Sequence, residues 1–412
     1  MKAIFRLSSF AAWVVLVTGV SLLFLNGCKE KQTQPDVTIP QPTATFTLPE
    51  IGGQKVIVLR RSRTGDGTHP EFLSVTLLPG RGMNVFQITA FLPGKGEVPL
   101  LASPSLQDAA KILTDEGEDF NGDMSYSMGG ALLFPFGNRI CGPLSKDKKF
   151  VLATWHGRTV SLVANTHGKN PGAPLVAMHG QMLAAKADSY DAKTTRDGGV
   201  ATATYRLKAD GHWFSDNEVT VDVTLEADAV TVALNATNTG QDAEPVGISW
   251  HPYYELPSHN RANARLHIPA EMRAQVNNYD EVFPTGKLLP VRDTPYDFTA
   301  EQGAPLPNVL VDDSFVQLQP NADGDTVVDL TDVAANYGVR ITALTPLVKT
   351  FQAYSPINKT FVAIEPQFNY NDPFGKEWEG QDTGMATVEP GRTVTWKVSL
   401  QLFQPSQPTP TE

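Results

Sequence analysis

Between residues 219 and 236 the chain alternates apolar and polar positions with one interruption. Val219, Val221, Val223 and Leu225 are separated by Thr220, Asp222 and Thr224; after Glu226-Ala227-Asp228, the pattern resumes in Val230, Val232, Leu234 and Ala236. A period of two places every apolar side chain on one face of a strand, so this segment predicts an antiparallel hairpin. Val394-Thr395-Trp396-Lys397-Val398-Ser399-Leu400-Gln401-Leu402 alternates in the same way after Glu389-Pro390-Gly391. Shorter strands are expected at 55–60, 72–78, 84–91, 150–154, 159–164, 200–206, 314–318, 326–330 and 338–344. Gly, Pro, Asn and Asp punctuate these runs, and the best helical stretch, Ser105 to Leu113, is brief. The pattern predicts an all-β fold, a large antiparallel β-sandwich with few short helices.

The ends follow other rules. Met1 to Arg6 carries two positive charges and no acid, and an apolar run follows from Phe10 to Leu25, the pattern of a secretory signal. The run is interrupted by Thr18, Gly19 and Ser21 and is short for a membrane-spanning helix. It ends in Leu25-Asn26-Gly27-Cys28, which resembles a bacterial lipobox, where lipid is attached to the cysteine thiol and cleavage leaves that cysteine first in the chain. Residues 1–27 are therefore read as a lipoprotein signal peptide, 28–49 as a flexible Pro/Thr/Gln-rich spacer, 50–403 as the β-sandwich domain and 404–412 as a Pro-rich tail too polar to pack. The expected location is the bacterial cell envelope, anchored by lipid on Cys28 and facing the periplasm or the outside. Lys29 after the cysteine favours the outer membrane.

With 44 acidic against 33 basic residues the net charge is −11, which argues against nucleic acid as a partner. Once Cys28 carries lipid, Cys141 is the only other cysteine, so no intramolecular disulfide forms and the fold must stand on its core.

Five segments place polar side chains where a sandwich strand would otherwise be apolar. They are Phe134-Pro135-Phe136-Gly137-Asn138-Arg139-Ile140, Met178-His179-Gly180-Gln181, Ser249-Trp250-His251-Pro252-Tyr253-Tyr254, Val311-Asp312-Asp313-Ser314-Phe315 and Val362-Ala363-Ile364-Glu365-Pro366. Taken singly, each has an ordinary structural reading: a snorkelling arginine, a satisfied core histidine, a capped turn, an exposed strand-end carboxylate. His251 and Glu365 stand out as a candidate acid and base, each beside a proline and apolar neighbours. Pro252 should bias His251 toward an extended conformation near a strand end. Trp250, Tyr253 and Tyr254 are either core or a stacking floor for a ring-shaped ligand.

In this order, from about residue 70 to 403, the segments resemble the aldose 1-epimerase (mutarotase) family. Its Asn-Arg-Ile motif is matched by Asn138-Arg139-Ile140, its Leu-His-Gly-Gly motif by Met178-His179-Gly180-Gln181, its Trp-His-Pro-Tyr motif by Trp250-His251-Pro252-Tyr253, its aspartate three residues before a phenylalanine by Asp312, and its Glu-Pro segment by Glu365-Pro366. The resemblance implies a galactose mutarotase-like supersandwich and an isomerase of the EC 5.1.3 type that interconverts the α and β anomers of an aldose. It implies Glu365 as the general base at the anomeric hydroxyl and His251 as the general acid at the ring oxygen. Asn138, Arg139, His179 and Asp312 would bind the sugar. A monomer that acts on a monosaccharide with no cofactor and no metal is expected.

Hemiacetal opening removes a proton from one oxygen and delivers another to its geminal neighbour, work suited to a carboxylate and an imidazolium near neutral pH. Asp312 should favour a charged His251, and the acid–base pair an ionised Glu365. The chain departs from the family at Gln181, in place of a glycine, and at Phe134-Pro135-Phe136, which leaves the sugar open. A hexose-6-phosphate substrate ranks low outside the cytoplasm. Two other readings stay open: a non-catalytic carbohydrate-binding lipoprotein, and a glycoside hydrolase using Glu365 and Asp312, whose carboxyls would stand about 5–5.5 or 6.5–9.5 Å apart. A hydrolase gives two histidines no obvious task, and a metal set of His179, His251, Asp312 and Glu365 lacks a closely spaced histidine pair.

Overall fold

The computed structural model describes residues 48–168 and 170–405; the signal segment, Cys28, the spacer up to residue 47 and the tail from 406 lie outside the described residues. The alternating segment forms the hairpin Asn217–Leu225 and Ala229–Asn238, with Val221 paired to Leu234 and Leu225 to Val230. Its apolar members are fully buried while the intervening Thr and Asp residues are half-exposed, so one face packs and the other meets water. The last strand, Thr393–Phe403, pairs with Ala229–Asn238 and continues the same alternation. These three strands lie inside a nine-stranded sheet that runs from Ser189–Thr194 at one edge to Ala304–Pro305 at the other.

A seven-stranded sheet forms the second layer, in the order Pro284–Pro290, Ala270–Val276, Val311–Leu318, Thr350–Ser355, Phe361–Gln367, Ser249–Glu255, Gly130–Leu133. A four-stranded sheet, Ile57–Arg60, Glu71–Leu78, Asn84–Leu92 and Gly96–Pro99, packs with them, and smaller two- and three-stranded sheets are added to these. Neighbouring strands in the three larger sheets are antiparallel. Trp396 and Leu234 from the nine-stranded sheet, Phe315, Phe351, Ile364 and Trp250 from the seven-stranded sheet, and Phe72 and Ile88 from the four-stranded sheet share one continuous core. The expected helix is Leu106–Ile112, capped by Ser105, whose Oγ accepts from the Asp108 N–H at 3.1 Å.

This arrangement decides where chemistry sits. Because side chains alternate across a strand, turning Phe315, Phe351, Ile364 and Trp250 into the core turns Ser314, Gln352, Glu365 and His251 to the other face. That second face is buried as well, and it is polar.

Candidate active site

The register of the seven-stranded sheet lines these polar residues up in one row. Ser314 pairs with Gln352, and Gln352 with Glu365. The pairs Ser249–Gln367 and Tyr253–Ala363 bracket the next step and carry His251 opposite Glu365, while His251 pairs on its other side with Ala131. Between those bracketing pairs stand Pro252 and Pro366, neither of which has an N–H to give the ladder. His251 is extended, as expected, the third residue of Ser249–Glu255, in a strand with neighbours on both sides. Its Nε2 is 3.3 Å from Oε1 of Glu365, and both side chains are buried, with His251 6% and Glu365 2% exposed. Gln367 donates Nε2 to the other carboxyl oxygen of Glu365 at 2.8 Å.

A second wall comes from a small sheet in which Met178 pairs with Arg139. Asn138 (φ 59°) and His179 (φ 65°) both sit in the left-handed region, and the His179 N–H donates to the Asn138 carbonyl at 2.8 Å. Gly180 follows at φ 73°, with the Phe134 carbonyl so close that a Cβ would stand 2.3 Å from its oxygen. These contacts turn the His179 ring over His251, with centroids 5.2 Å apart and planes at 89°. Arg139 donates Nη1 to Asn138 Oδ1 at 3.1 Å and to the Val282 carbonyl at 3.4 Å.

All six residues expected from the sequence, Asn138, Arg139, His179, His251, Asp312 and Glu365, therefore line one cleft of about 290 Å³. Asp312 is held by Gln352, whose Nε2 donates to its Oδ1 at 2.6 Å while the Ser314 hydroxyl donates to the side-chain oxygen Oε1 of Gln352 at 2.5 Å. Sequence reasoning missed Gln352 and Tyr354, although they share the two-residue period of Thr350–Ser355. It also missed Tyr126, whose ring lies 4.7 Å from that of His179, and Tyr279. Tyr126 sits in the short 3-10 helix Ser125–Ser127 and Tyr279 in a turn, neither with a local signal. Gln181, the departure from the family motif, points elsewhere: its Nε2 donates to the His212 carbonyl at 3.1 Å.

Burial dominates the electrostatics. It raises the Glu365 carboxyl well above the ordinary range, and the Asp312 charge adds to the effect; the Gln367 hydrogen bond and the Arg139 charge oppose it. Burial pushes His251 down to about 4 and His179 well below its usual value, the latter also through the neighbouring His251 and Arg139. The expected charged His251 and ionised Glu365 are thus corrected: desolvation outweighs the attraction of neighbouring charges for each group alone. The arrangement this favours is a pair of zero net charge that holds one proton between Nε2 and Oε1. Among the described residues no group of three or more His, Cys, Asp or Glu side chains is arranged to hold a metal ion, and no helix is long and apolar enough to cross a membrane.

The antiparallel body has the fold of galactose mutarotase-like proteins. Residues 109–401 match the family model described as aldose 1-epimerase, and the chain belongs to that family. It is 26% identical over 188 residues to the uncharacterized protein YphB of Escherichia coli K12, a match that spans 43% of this chain and 57% of that relative. Among solved structures, a galactose mutarotase-like protein of Clostridium acetobutylicum superposes with a TM-score of 0.66 at 15% identity, covering 86% of this chain and 97% of that one. A putative aldose 1-epimerase of Escherichia coli K12 gives 0.60 at 17% identity, covering 85% and 99%. The GalM/aldose epimerase homologue of C. elegans gives 0.61 at 16%, with the same coverage. At these identities the structures share the fold.

Proposed function

We infer that this chain is an aldose 1-epimerase that interconverts the anomers of an aldose by ring opening and reclosure. The observation that carries the reading is the 3.3 Å approach of His251 Nε2 to Glu365 Oε1 inside the cleft. Shifting the shared proton from Oε1 to Nε2 gives the reactive tautomer, imidazolium beside carboxylate, in which Glu365 takes the proton of the anomeric hydroxyl. The C1–O1 bond becomes a carbonyl, the C1–O5 bond breaks, and O5 receives the proton of His251. The pair is now imidazole and carboxylic acid, still of zero net charge, which is the combination that burial favours. After rotation about C1–C2, His251 takes the proton back from the O5 hydroxyl, O5 attacks the other face of C1, and Glu365 returns its proton to O1. Proton transfer at both oxygens proceeds without changing the net charge of the buried pair. Asp312, oriented by Gln352, is the acceptor for a sugar hydroxyl; Arg139, Asn138 and His179 fix the ring opposite the sheet.

The same reading has the body at 50–403 carried on a spacer at 28–49 and anchored by lipid on Cys28 after loss of residues 1–27. The protein is then a monomer in the cell envelope with the cleft facing the periplasm or the outside. The lipobox-like Leu25-Asn26-Gly27-Cys28 after an apolar run supports this. Mass spectrometry of the mature N-terminus tests it: a diacylglyceryl Cys28 is expected, and an unmodified Met1 in membrane fractions refutes it.

Polarimetry of freshly dissolved α-aldoses tests the reaction. Wild type should accelerate mutarotation, and Glu365→Gln and His251→Asn should each lose about 10²-fold or more, the usual contribution of one acid–base group. Acceleration that survives both substitutions refutes the assignment. Binding without acceleration for any common aldose favours the carbohydrate-binding reading.

A further inference from the structure

Four residues in the left-handed backbone region surround Arg139: Asn138 at φ 59°, His179 at 65°, Val282 at 57° and Asp372 at 48°. Asn138 precedes it and accepts the His179 N–H, the Val282 carbonyl accepts its guanidinium, and the Asp372 N–H donates to its own carbonyl at 2.8 Å. The first two build the turn that faces His251. The other two have no part in that turn. Val282 is the only β-branched residue at positive φ among the described residues, and such a residue keeps that conformation only where its surroundings fix it.

Two bonds fix it. Within its own loop the Val282 N–H donates to the Asn278 carbonyl at 2.9 Å, and from the body of the protein Asn371 donates Nδ2 to the Val282 carbonyl at 2.5 Å. The same carbonyl takes Nη1 of Arg139 at 3.4 Å. A carbonyl oxygen has two lone pairs, so the shorter bond sets the direction in which the second is offered to the guanidinium. Asn371 is 2% exposed, and turning its amide over would set Oδ1 against the Val282 oxygen, acceptor against acceptor, so the donor is committed to this bond. Asn371 is anchored in its turn: Trp378 Nε1 donates to the carbonyls of Asn371 and Asp372 at 3.1 and 3.0 Å, and Asp372 Oδ1 accepts the Cys141 N–H at 2.9 Å. The Asn371-Asp372 pair therefore grips Arg139 twice, at its main chain through Asp372 and at its guanidinium through Val282. A long, half-buried arginine side chain has much rotamer freedom to lose, and a grip of this kind removes it before a ligand arrives.

We propose that Asn371 is a positioning residue of the cleft: through the Val282 carbonyl it holds the Arg139 guanidinium in the pose that meets the sugar ring. Val282 and Arg139 line the cleft and Asn371 does not, so it acts through them and not by touching the sugar. The role rests on the aldose 1-epimerase reading, in which Arg139 binds the substrate.

Two measurements test it, one of them independent of turnover. Asn371→Leu keeps the volume and removes the donor. KM for mutarotation should rise about two- to tenfold, the scale of one net hydrogen bond, while kcat changes less, because a group that holds the ring acts before and during its opening alike. In the Arg139→Met background the same substitution should leave KM where Arg139→Met put it, since the residue through which Asn371 acts is gone. A rise by the same factor in both backgrounds, or a fall in kcat with KM unchanged, overturns the proposal. The second measurement reads the arginine without sugar: nitrogen NMR of the arginine side chains, with the Arg139 signal assigned by its loss in Arg139→Met, follows rotation about its Nε–Cζ bond. Slow rotation in wild type and faster rotation in Asn371→Leu are expected. Free rotation of Arg139 in wild type overturns the proposal whether or not the variant folds, and so does equal rotation in the two proteins. If wild type accelerates no aldose, the epimerase reading fails, while the NMR result still decides whether Asn371 holds the arginine.

Discussion

Gln367 donates its side-chain N–H to Oε2 of Glu365 at 2.8 Å from two residues further along the same strand. The bond engages the carboxyl oxygen that His251 does not face, and so leaves Oε1 as the reactive one. It also favours the ionised form of a carboxyl whose burial works the other way. Gln367→Leu keeps most of the volume and removes the donor. The proton affinity of Glu365 should rise, so the acidic limb of the pH–rate profile should move to higher pH. At pH 7 kcat should fall about tenfold or more, since a hydrogen bond to a charged group is worth about 1.5–3 kcal/mol. An unshifted limb would separate Gln367 from the titration of the pair.

Glu365 itself is expected to destabilise the protein at neutral pH. Its folded pKa lies above the unfolded value, so its contribution to stability is fully present below about pH 4.5 and is lost as the pH rises through the folded pKa. Glu365→Gln cannot ionise, and its amide still offers an oxygen to Gln367 and an N–H to His251. The variant should therefore unfold at higher denaturant concentration than wild type at pH 7.5, and the gain should vanish by pH 4. A variant no more stable at pH 7.5 would mean that the carboxylate is fully compensated in the fold.

His251 carries the opposite slope. Its folded pKa is held down at about 4 against 6.5 for the free side chain, so its contribution is present above pH 6.5 and is lost as the pH falls to 4. A shift of this size corresponds to about 3 kcal/mol over that window. In wild type the loss is partly hidden, because Glu365 gains stability over much of the same range. Acid unfolding should accordingly be steeper for Glu365→Gln than for wild type between pH 6.5 and 4, and shallower for His251→Gln. Equal slopes in all three proteins would show that burial is not what sets these two titrations.

Which parts of this were legible in the sequence follows from how each strand is buried. Asn217–Leu225 has one apolar and one half-exposed face, so its two-residue period stands out. Phe361–Gln367 and Ser249–Glu255 are buried on both faces, because the polar side chains of one face close the cleft. Each also contains a proline, which argues against an interior strand; neither appears among the strands expected from the pattern. The motif residues were nonetheless found, because the resemblance fixes their order along the chain. Of the doublet Asp312-Asp313, only the fold shows the division of labour: Asp312 pairs across the sheet with Tyr354 in the cleft, whereas Asp313 is fully buried against Arg273. Ionisation was the least legible property, since it depends on how deeply the finished cleft excludes water.

Gly180 tests how tightly the His179 turn is built. A Cβ there would meet the Phe134 carbonyl oxygen at 2.3 Å, on a backbone already at φ 73°. Gly180→Ala should lower stability by more than the roughly 1 kcal/mol typical of strain at such a residue, because the clash is with backbone that cannot swing away. Relief requires the Asn138–Gly180 segment to move, which carries His179 away from His251. The expected kinetic signature is a raised KM together with a lowered kcat. A variant with wild-type stability and kinetics would show that the turn tolerates the shift.

Asp313 tests the wall beneath the cleft. Its carboxyl is fully buried; Arg273 Nη1 lies 2.5 Å from Oδ1, the Tyr279 hydroxyl 2.9 Å from Oδ2, and the Arg273 guanidinium 4.0 Å above the Tyr296 ring. Burial raises its pKa, and the Arg273 charge is the main force holding it down. Arg273→Met removes that charge while keeping the aliphatic stem, and leaves a buried carboxylate without its cation, a change that costs about 3–5 kcal/mol. Adding Asp313→Asn removes the charge that was stranded, so the double variant should recover part of the loss in denaturant midpoint. Because Tyr279 both binds Asp313 and lines the cleft, Arg273→Met should also raise the sugar KM, and the second substitution should recover stability more fully than KM. A single variant with an unchanged midpoint would mean that Asp313 is already protonated in the folded protein, with Tyr279 rather than Arg273 as its principal partner.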